Sequence, residues 1–189
     1  MVFGSVPSDS TLYLTFRDID PQVLAGLWDG AAEAREVVWE RSGATTGTAA
    51  VILDMDASLH EIHSENKDLA APHYKGGFGF HPLYCFADAT GEALAVLLRA
   101  GNAGANTIAD HVSVLDAAIA QLPEAVAVGH RPGDDPALVA RPLQVRCDSA
   151  GCTKFVWDCR ARNVGFAVVA RTNKGVHAAI SRIAGYDNP

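Results

Sequence analysis

The chain contains no apolar run approaching the ~18 residues that a membrane-crossing helix needs. Its first residues, Met1-Val2-Phe3-Gly4, lack the basic-then-apolar build of a secretory leader. Cysteine is scarce: Cys85, Cys147, Cys152 and Cys159 form no C-x-x-C pair. That excludes a ribbon-type zinc site and, without a leader, a disulfide framework, leaving buried thiols as the expectation. A positive net charge is also lacking, and −7 excludes a uniformly basic nucleic-acid wrapper. Internal repeats and domain linkers are absent as well. What the 189 residues do have is 49% hydrophobic and 20% charged side chains, enough for a globular domain and incompatible with a disordered chain.

The charge is unevenly placed. Residues 1–60 hold three Lys/Arg against nine Asp/Glu, a balance of −6. Residues 141–182 hold Arg141, Arg146, Lys154, Arg160, Arg162, Arg171, Lys174 and Arg182 against Asp148 and Asp158, a balance of +6. A polyanion would meet the last third and avoid the first, although a solvated basic face accounts for the same residues.

Periodicity supplies the elements. Residues 1–20 read as an irregular arm broken by Pro7, Ser8, Asp9 and Ser10. Asp20 with Pro21 opens a helix over 21–40 whose apolar face is Leu24, Leu27, Ala31, Ala34 and Val38. Thr48–Met55 is a nearly continuous apolar run suited to a central strand. Residues 57–76 are a polar excursion. Strands follow at Phe78–Ala87 and Ala93–Arg99, joined by the turn Asp88-Ala89-Thr90-Gly91. Thr107 and Asp110 start a helix marked by Ile108, Val112, Leu115, Ile119 and Leu122. Gly129, Pro132, Gly133, Pro136 and Pro142 make 129–142 a surface loop. A strand at Leu143–Asp148, a helix over 153–162, a strand at Val164–Ala170 and a helix over 175–184 complete the chain. Three consecutive strands, then strands separated by helices, predict an α/β fold: a mixed sheet in which an antiparallel meander is extended by parallel crossovers. That is a ribonuclease-H-like architecture.

Asp54 and Asp56 are two apart on a strand and leave the same face. An unpaired carboxylate inside an apolar sheet is costly, so Asp56 belongs at the strand's carboxyl edge. Asp148 likewise ends an apolar run before Ser149-Ala150-Gly151 turns the chain. In such sheets, sites form outside the carboxyl ends of the strands. Converging carboxylates call for a divalent cation, and hard oxygen donors select Mg²⁺ or Mn²⁺. Two such ions would serve phosphodiester chemistry. Helix caps or turn positions explain the same acids.

Several ordered motifs resemble bacterial insertion-sequence transposases of the DDE type. They are Leu53-Asp54-Met55-Asp56-Ala57-Ser58, the run Tyr74-Lys75-Gly76-Gly77-Phe78-Gly79-Phe80-His81-Pro82-Leu83, the stretch from Ala95 to Thr107, and Val145-Arg146-Cys147-Asp148-Ser149-Ala150-Gly151. The resemblance spans roughly residues 5–175. It implies a ribonuclease-H-like catalytic core, Mg²⁺ (or Mn²⁺) dependence, and cleavage and joining of DNA at transposon ends. It further implies a bacterial cytoplasmic, nucleoid-associated location, no membrane, and homodimerisation as an open question. Asp56 matches the family's first catalytic acid and Asp148 the second. Asp54 is the fallback for the first position, or a carboxylate acting behind it. Lys75, Arg146, Lys154 and Arg160 are the expected DNA contacts. The division expected is an N-terminal arm and helix over 1–47 and a partial core over 48–189. The family's third acid is a downstream glutamate, whereas the last glutamate here is Glu124, and Asp158 and Asp187 do not match its motif. The expectation is therefore the N-terminal part of a transposase, from a truncated, frameshifted or split gene. A non-catalytic DNA-binding or dimerising remnant is the alternative, and a metal phosphohydrolase completed by Asp158 or a histidine is a third reading.

Other constellations carry less. His60-Glu61-Ile62-His63 is one residue short of H-E-x-x-H. Lys75-Gly76-Gly77-x-Gly79 lacks the Gly-Lys-Ser/Thr of a phosphate loop. His81 opens a strand, where a backbone hydrogen bond or a place near the scissile phosphate would suit it. Ser58 and Ser149 have no histidine–acid partners in recognisable order.

Overall fold

A computed structural model describes residues 6–64, 66–104, 107–148, 154–169 and 173–183. In chain order the helices are α1 (Asp9–Arg17), α2 (Pro21–Ser42), α3 (Ile108–Ala120), α4 (Glu124–Ala127), α5 (Phe155–Arg160) and α6 (Lys174–Ile180). The strands are β1 (Val51–Ala57), β2 (His60–Glu61), β3 (Ala71–Pro72), β4 (Phe78–Phe80), β5 (Leu83–Ala87), β6 (Ala93–Leu97), β7 (Leu143–Cys147) and β8 (Val164–Val168). The main sheet has the order β6-β5-β1-β7-β8. β5 is antiparallel to β1 and to β6, while β7 is parallel to β1 and β8 to β7. This is the predicted ribonuclease-H-like arrangement of a meander extended by parallel crossovers.

Alternation along the strands decides what each face does. Val51, Leu53 and Met55 of β1, Leu83, Cys85 and Ala87 of β5, and Leu143 and Val145 of β7 point into one core. α3 covers that face with Val114, Leu115, Ala118 and Ile119, and α5 adds Phe155 and Cys159. Each fully buried aliphatic side chain contributes about 1.5–3 kcal/mol, so the central strands anchor everything attached to them. The opposite face carries Asp54, Asp56, Gln144 and Arg146. Burial pushes the Cys85 and Cys159 thiols up to about 12, as befits the inert packing residues anticipated for cysteine here. Cys152 lies outside the described residues.

Several elements depart from the sequence expectation. The arm contains α1, because Ser8 is an N-cap whose side chain accepts from the Thr11 N–H. α2 forms, but Leu24, Leu27 and Val38 are exposed, and the buried residues are Arg35 and Trp39. Their polar atoms are satisfied: Arg35 Nε and Trp39 Nε1 donate to the two oxygens of Glu92 at 2.7 and 2.8 Å, and Arg35 Nη1 donates to the Gln121 carbonyl at 2.8 Å. A paired guanidinium and indole can face a core that hydropathy alone assigns to leucines.

The polar excursion contributes β2 and β3, which flank β4 in a second, three-stranded sheet. Gly79 permits this pairing, since a Cβ there would meet the His60 carbonyl. The expected long strand Phe78–Ala87 is two strands, divided at His81-Pro82, where proline removes a ladder donor. The predicted hairpin turn is present: Gly91 takes φ +68° and its N–H bonds to the Ala87 carbonyl at 2.8 Å. In the loop after α4, His130 is fully buried and its two ring nitrogens lie 3.0 and 2.9 Å from the carbonyls of Arg162 and Arg141.

Candidate functional site

The site grows out of one register. β1 and β7 run parallel with Asp54 opposite Arg146 and Met55 opposite Cys147. Asp56 and Asp148 are the next positions on the two chains, at the carboxyl ends of neighbouring strands, and both are exposed. Neighbouring strands lie about 4.8 Å apart, and side chains repeat every second residue. The pair therefore follows Asp54 and Arg146 along one face. Asp56 and Asp148 also line a common cleft of about 130 Å³ with Tyr74, His81, Leu83 and His111. Asp56 Oδ1 accepts from the Ala57 N–H at 2.9 Å.

Asp54 has a different setting. Its two oxygens accept from Arg146 Nε and Nη2 at 2.6 Å each, and Nη2 also donates to Asp88 at 2.5 Å. Arg146 holds the Asp54 carboxyl below the usual carboxylate range, mainly by that hydrogen bond and against the opposing effect of burial. A carboxyl with a lowered folded pKa adds stability that is complete above its unfolded value and is lost as pH falls through the folded one. Arg146→Met is therefore expected to lower stability near neutrality and to flatten the further loss between neutrality and about pH 3, read from urea midpoints at both pH values. An acid limb as steep as in the unaltered protein would overturn this. The guanidinium that sequence reasoning offered to DNA is thus engaged by two carboxylates.

Two imidazoles complete the cleft wall. His81 lies with Nδ1 3.1 Å from the Ala103 carbonyl, and His111 with Nδ1 2.9 Å from the Thr107 carbonyl. A carbonyl only accepts, so each Nδ1 carries the hydrogen and Nε2 of the neutral ring keeps its lone pair. Arg99 secures this corner: Nε donates to the His81 carbonyl at 2.9 Å, and Nη1 donates to the Gly104 carbonyl at 3.2 Å and to Asp110 at 3.1 Å. Asp110 is thus spent on Arg99, and Thr107 caps α3 with no side-chain hydrogen bond to it. Sequence reasoning missed His111 and Tyr74 as cleft residues. The available signal was a histidine standing within the apolar stripe of α3.

The remaining candidates lie around this cleft or away from it. Lys75 is exposed, with Nζ 5.8 Å from the centroid of the Tyr74 ring at the cleft edge. Lys154 and Arg160 are exposed at the two ends of α5. His60 Nε2 lies 3.1 Å from the Tyr84 hydroxyl, and His73 Nε2 lies 3.6 Å from Glu61. Ser149 lies outside the described residues. Among the described residues, no three His, Cys, Asp or Glu side chains are grouped to hold a metal ion.

The donor chemistry at Asp56 and Asp148 nevertheless fits a divalent cation. Mg²⁺ is commonly held by one or two carboxylates, with water and substrate phosphate supplying its other oxygens. A mixed sheet of this order, with acids ending its two central parallel strands, defines the ribonuclease-H-like class of α/β domains. Within that class the sequence is specific: the profile of the family described as transposase DDE domain group 1 matches residues 3–186. The chain belongs to that family. No curated protein matches it. Membership supports a role in DNA transposition with DNA as partner, and DDE transposases generally use divalent metal ions. Among the described residues, no helix is long and apolar enough to cross a membrane.

Proposed function

We propose that this chain carries the phosphoryl-transfer site of a DNA transposase, with Asp56 and Asp148 as its cation-holding carboxylates. The supporting observation is their place as consecutive register neighbours at the carboxyl ends of β1 and β7, facing one cleft. Bound between them, Mg²⁺ or Mn²⁺ would supply the Lewis-acid and charge-neutralising chemistry of two-metal phosphodiester cleavage and joining. The chain's own residues do the rest. Asp56 and Asp148 create the negative potential that concentrates a divalent cation at this rim. His81 and His111, fixed by backbone carbonyls, are acceptors for a water or hydroxyl proton. Lys75, Lys154 and Arg160 attract the DNA backbone, each as a point of phosphate contact. Arg146 keeps Asp54 behind the site and neutralises part of the acid cluster.

A second reading, a DNA-binding remnant without catalysis, draws on the surplus of basic residues over 141–182. Gel-shift titrations with and without Mg²⁺ separate the two. The catalytic reading expects Mg²⁺ to tighten DNA binding by the unaltered protein, and expects Asp56→Ala and Asp148→Ala to abolish that response. Binding indifferent to Mg²⁺ and to both changes assigns the remnant.

A further inference from the structure

α5 has two unlike sides. Phe155 and Cys159 are 1% and 0% exposed and join the core, whereas Trp157, two residues from each, is 64% exposed. Residues three apart on a helix stand one above another, so Lys154, Trp157 and Arg160 form an outer stripe, basic at both ends and aromatic at its centre. Arg160 Cζ lies 5.6 Å from the centroid of the indole ring. The acid of this helix, Asp158, is turned elsewhere, 3.9 Å from Arg162, whose guanidinium is held by Asp116 at 2.5 and 2.8 Å. Among the described residues, neither Lys154 nor Arg160 is paired with a carboxylate.

The helix that bears this stripe is anchored, by its inner side, to the wall of the acid cleft. The Phe155 ring packs against His111 with centroids 5.4 Å apart, and His111 lines the cleft that Asp56 and Asp148 share. A large indole left in water has no role in packing the core. Flanked by two exposed cations on the most basic third of the chain, it matches an anionic partner that has flat apolar faces. Nucleic acid combines the two, but a duplex hides its base faces within the stack, and only unpaired bases expose them.

We propose that Lys154, Trp157 and Arg160 form a stacking platform for an unpaired base of a DNA strand entering the Asp56–Asp148 cleft. The indole takes the π-face of the base, and the two cations take the flanking phosphates. This rests on the DNA-binding reading above and adds to it a preference for unpaired over fully paired DNA.

The test uses the full chain without divalent cation, and fluorescence anisotropy with a labelled single strand and with the same sequence as a blunt duplex. Trp157→Ala is expected to weaken single-strand binding about tenfold and duplex binding less than about twofold, while Trp157→Phe retains most of the affinity. Lys154→Ala and Arg160→Ala should each lower the salt slope by about one on both DNAs. The melting temperature of Trp157→Ala should match that of the unaltered protein, because the indole lies outside the core. Equal weakening on both DNAs, or none on either, overturns the platform while leaving DNA binding intact. Failure of the unaltered protein to bind either DNA overturns the DNA-binding reading and the platform together.

Discussion

Asp56→Asn and Asp148→Asn are each expected to weaken divalent-cation binding by at least about 100-fold, the upper end of what losing a mere supporting partner costs a metal site. The reason is the register. Two carboxylates that follow one another across adjacent parallel strands repel when both are ionised, and a cation between them converts that repulsion into attraction. Either asparagine keeps the shape of the side chain and removes half of the charge. Calorimetric titration with Mn²⁺, competed by Mg²⁺, reads the effect directly. The double variant should bind no more weakly than the singles, because the two acids act as a unit and their losses do not add. Thermal melting gives a second readout. With cation, only the unaltered protein should gain stability, by selective binding to the folded state. An equal gain in all three proteins would place the cation elsewhere and remove Asp56 and Asp148 from the site.

Phe155→Ala is expected to cost about 3–5 kcal/mol of stability, measured as a shift of the denaturant midpoint at unchanged slope. Phe155 is among the largest fully buried side chains, and it ties α5 to α3 through its contact with His111. A six-residue helix has no stability of its own in water. α5 is held by Phe155, by Cys159 and by the Arg162–Asp116 ion pair beyond its end. Removing the ring leaves a cavity and loosens the helix that carries Lys154, Trp157 and Arg160. Cys159 provides a local reporter. Its thiol, held at about 12 by burial, should be inert to thiol reagents in the unaltered protein and become reactive in Phe155→Ala at mildly alkaline pH. The background from the other cysteines is set by Phe155→Ala carrying Cys159→Ser. A loss below about 1 kcal/mol would mean that the core closes over the missing ring and that α5 is held mainly by other contacts.

The sequence was most legible where short-range rules apply. The apolar run of β1, the turn at Asp88–Gly91 and the stripe of α3 each follow from residues within one or two turns of chain, and each formed near its expected place. The paired aspartates could be nominated because an acid ending an apolar strand run has a physical reason to lie at the sheet's rim. Reading failed where the partner is distant in sequence. The inner face of α2 is Arg35 and Trp39 because Glu92, more than fifty residues on, satisfies both. β2 and β3 are two-residue strands defined only by their pairing with β4, and a two-residue strand has no period to detect. Arg146 shares a face with Asp148, which offered it a carboxylate or a phosphate from sequence, but only the β1–β7 register sets Asp54 opposite it.

Local pattern therefore settled the strands of the main sheet, the helices α2 and α3 and the family to which the chain belongs, because hydrophobic period and turn chemistry act over a few residues. Which side chains face each other was decided by folding: Asp56 stands beside Asp148 across 92 residues of sequence, and Arg146 closes on Asp54 and Asp88. Those meetings depend on strand register, and register is fixed by the burial of a whole sheet face at once rather than by any single stretch of chain.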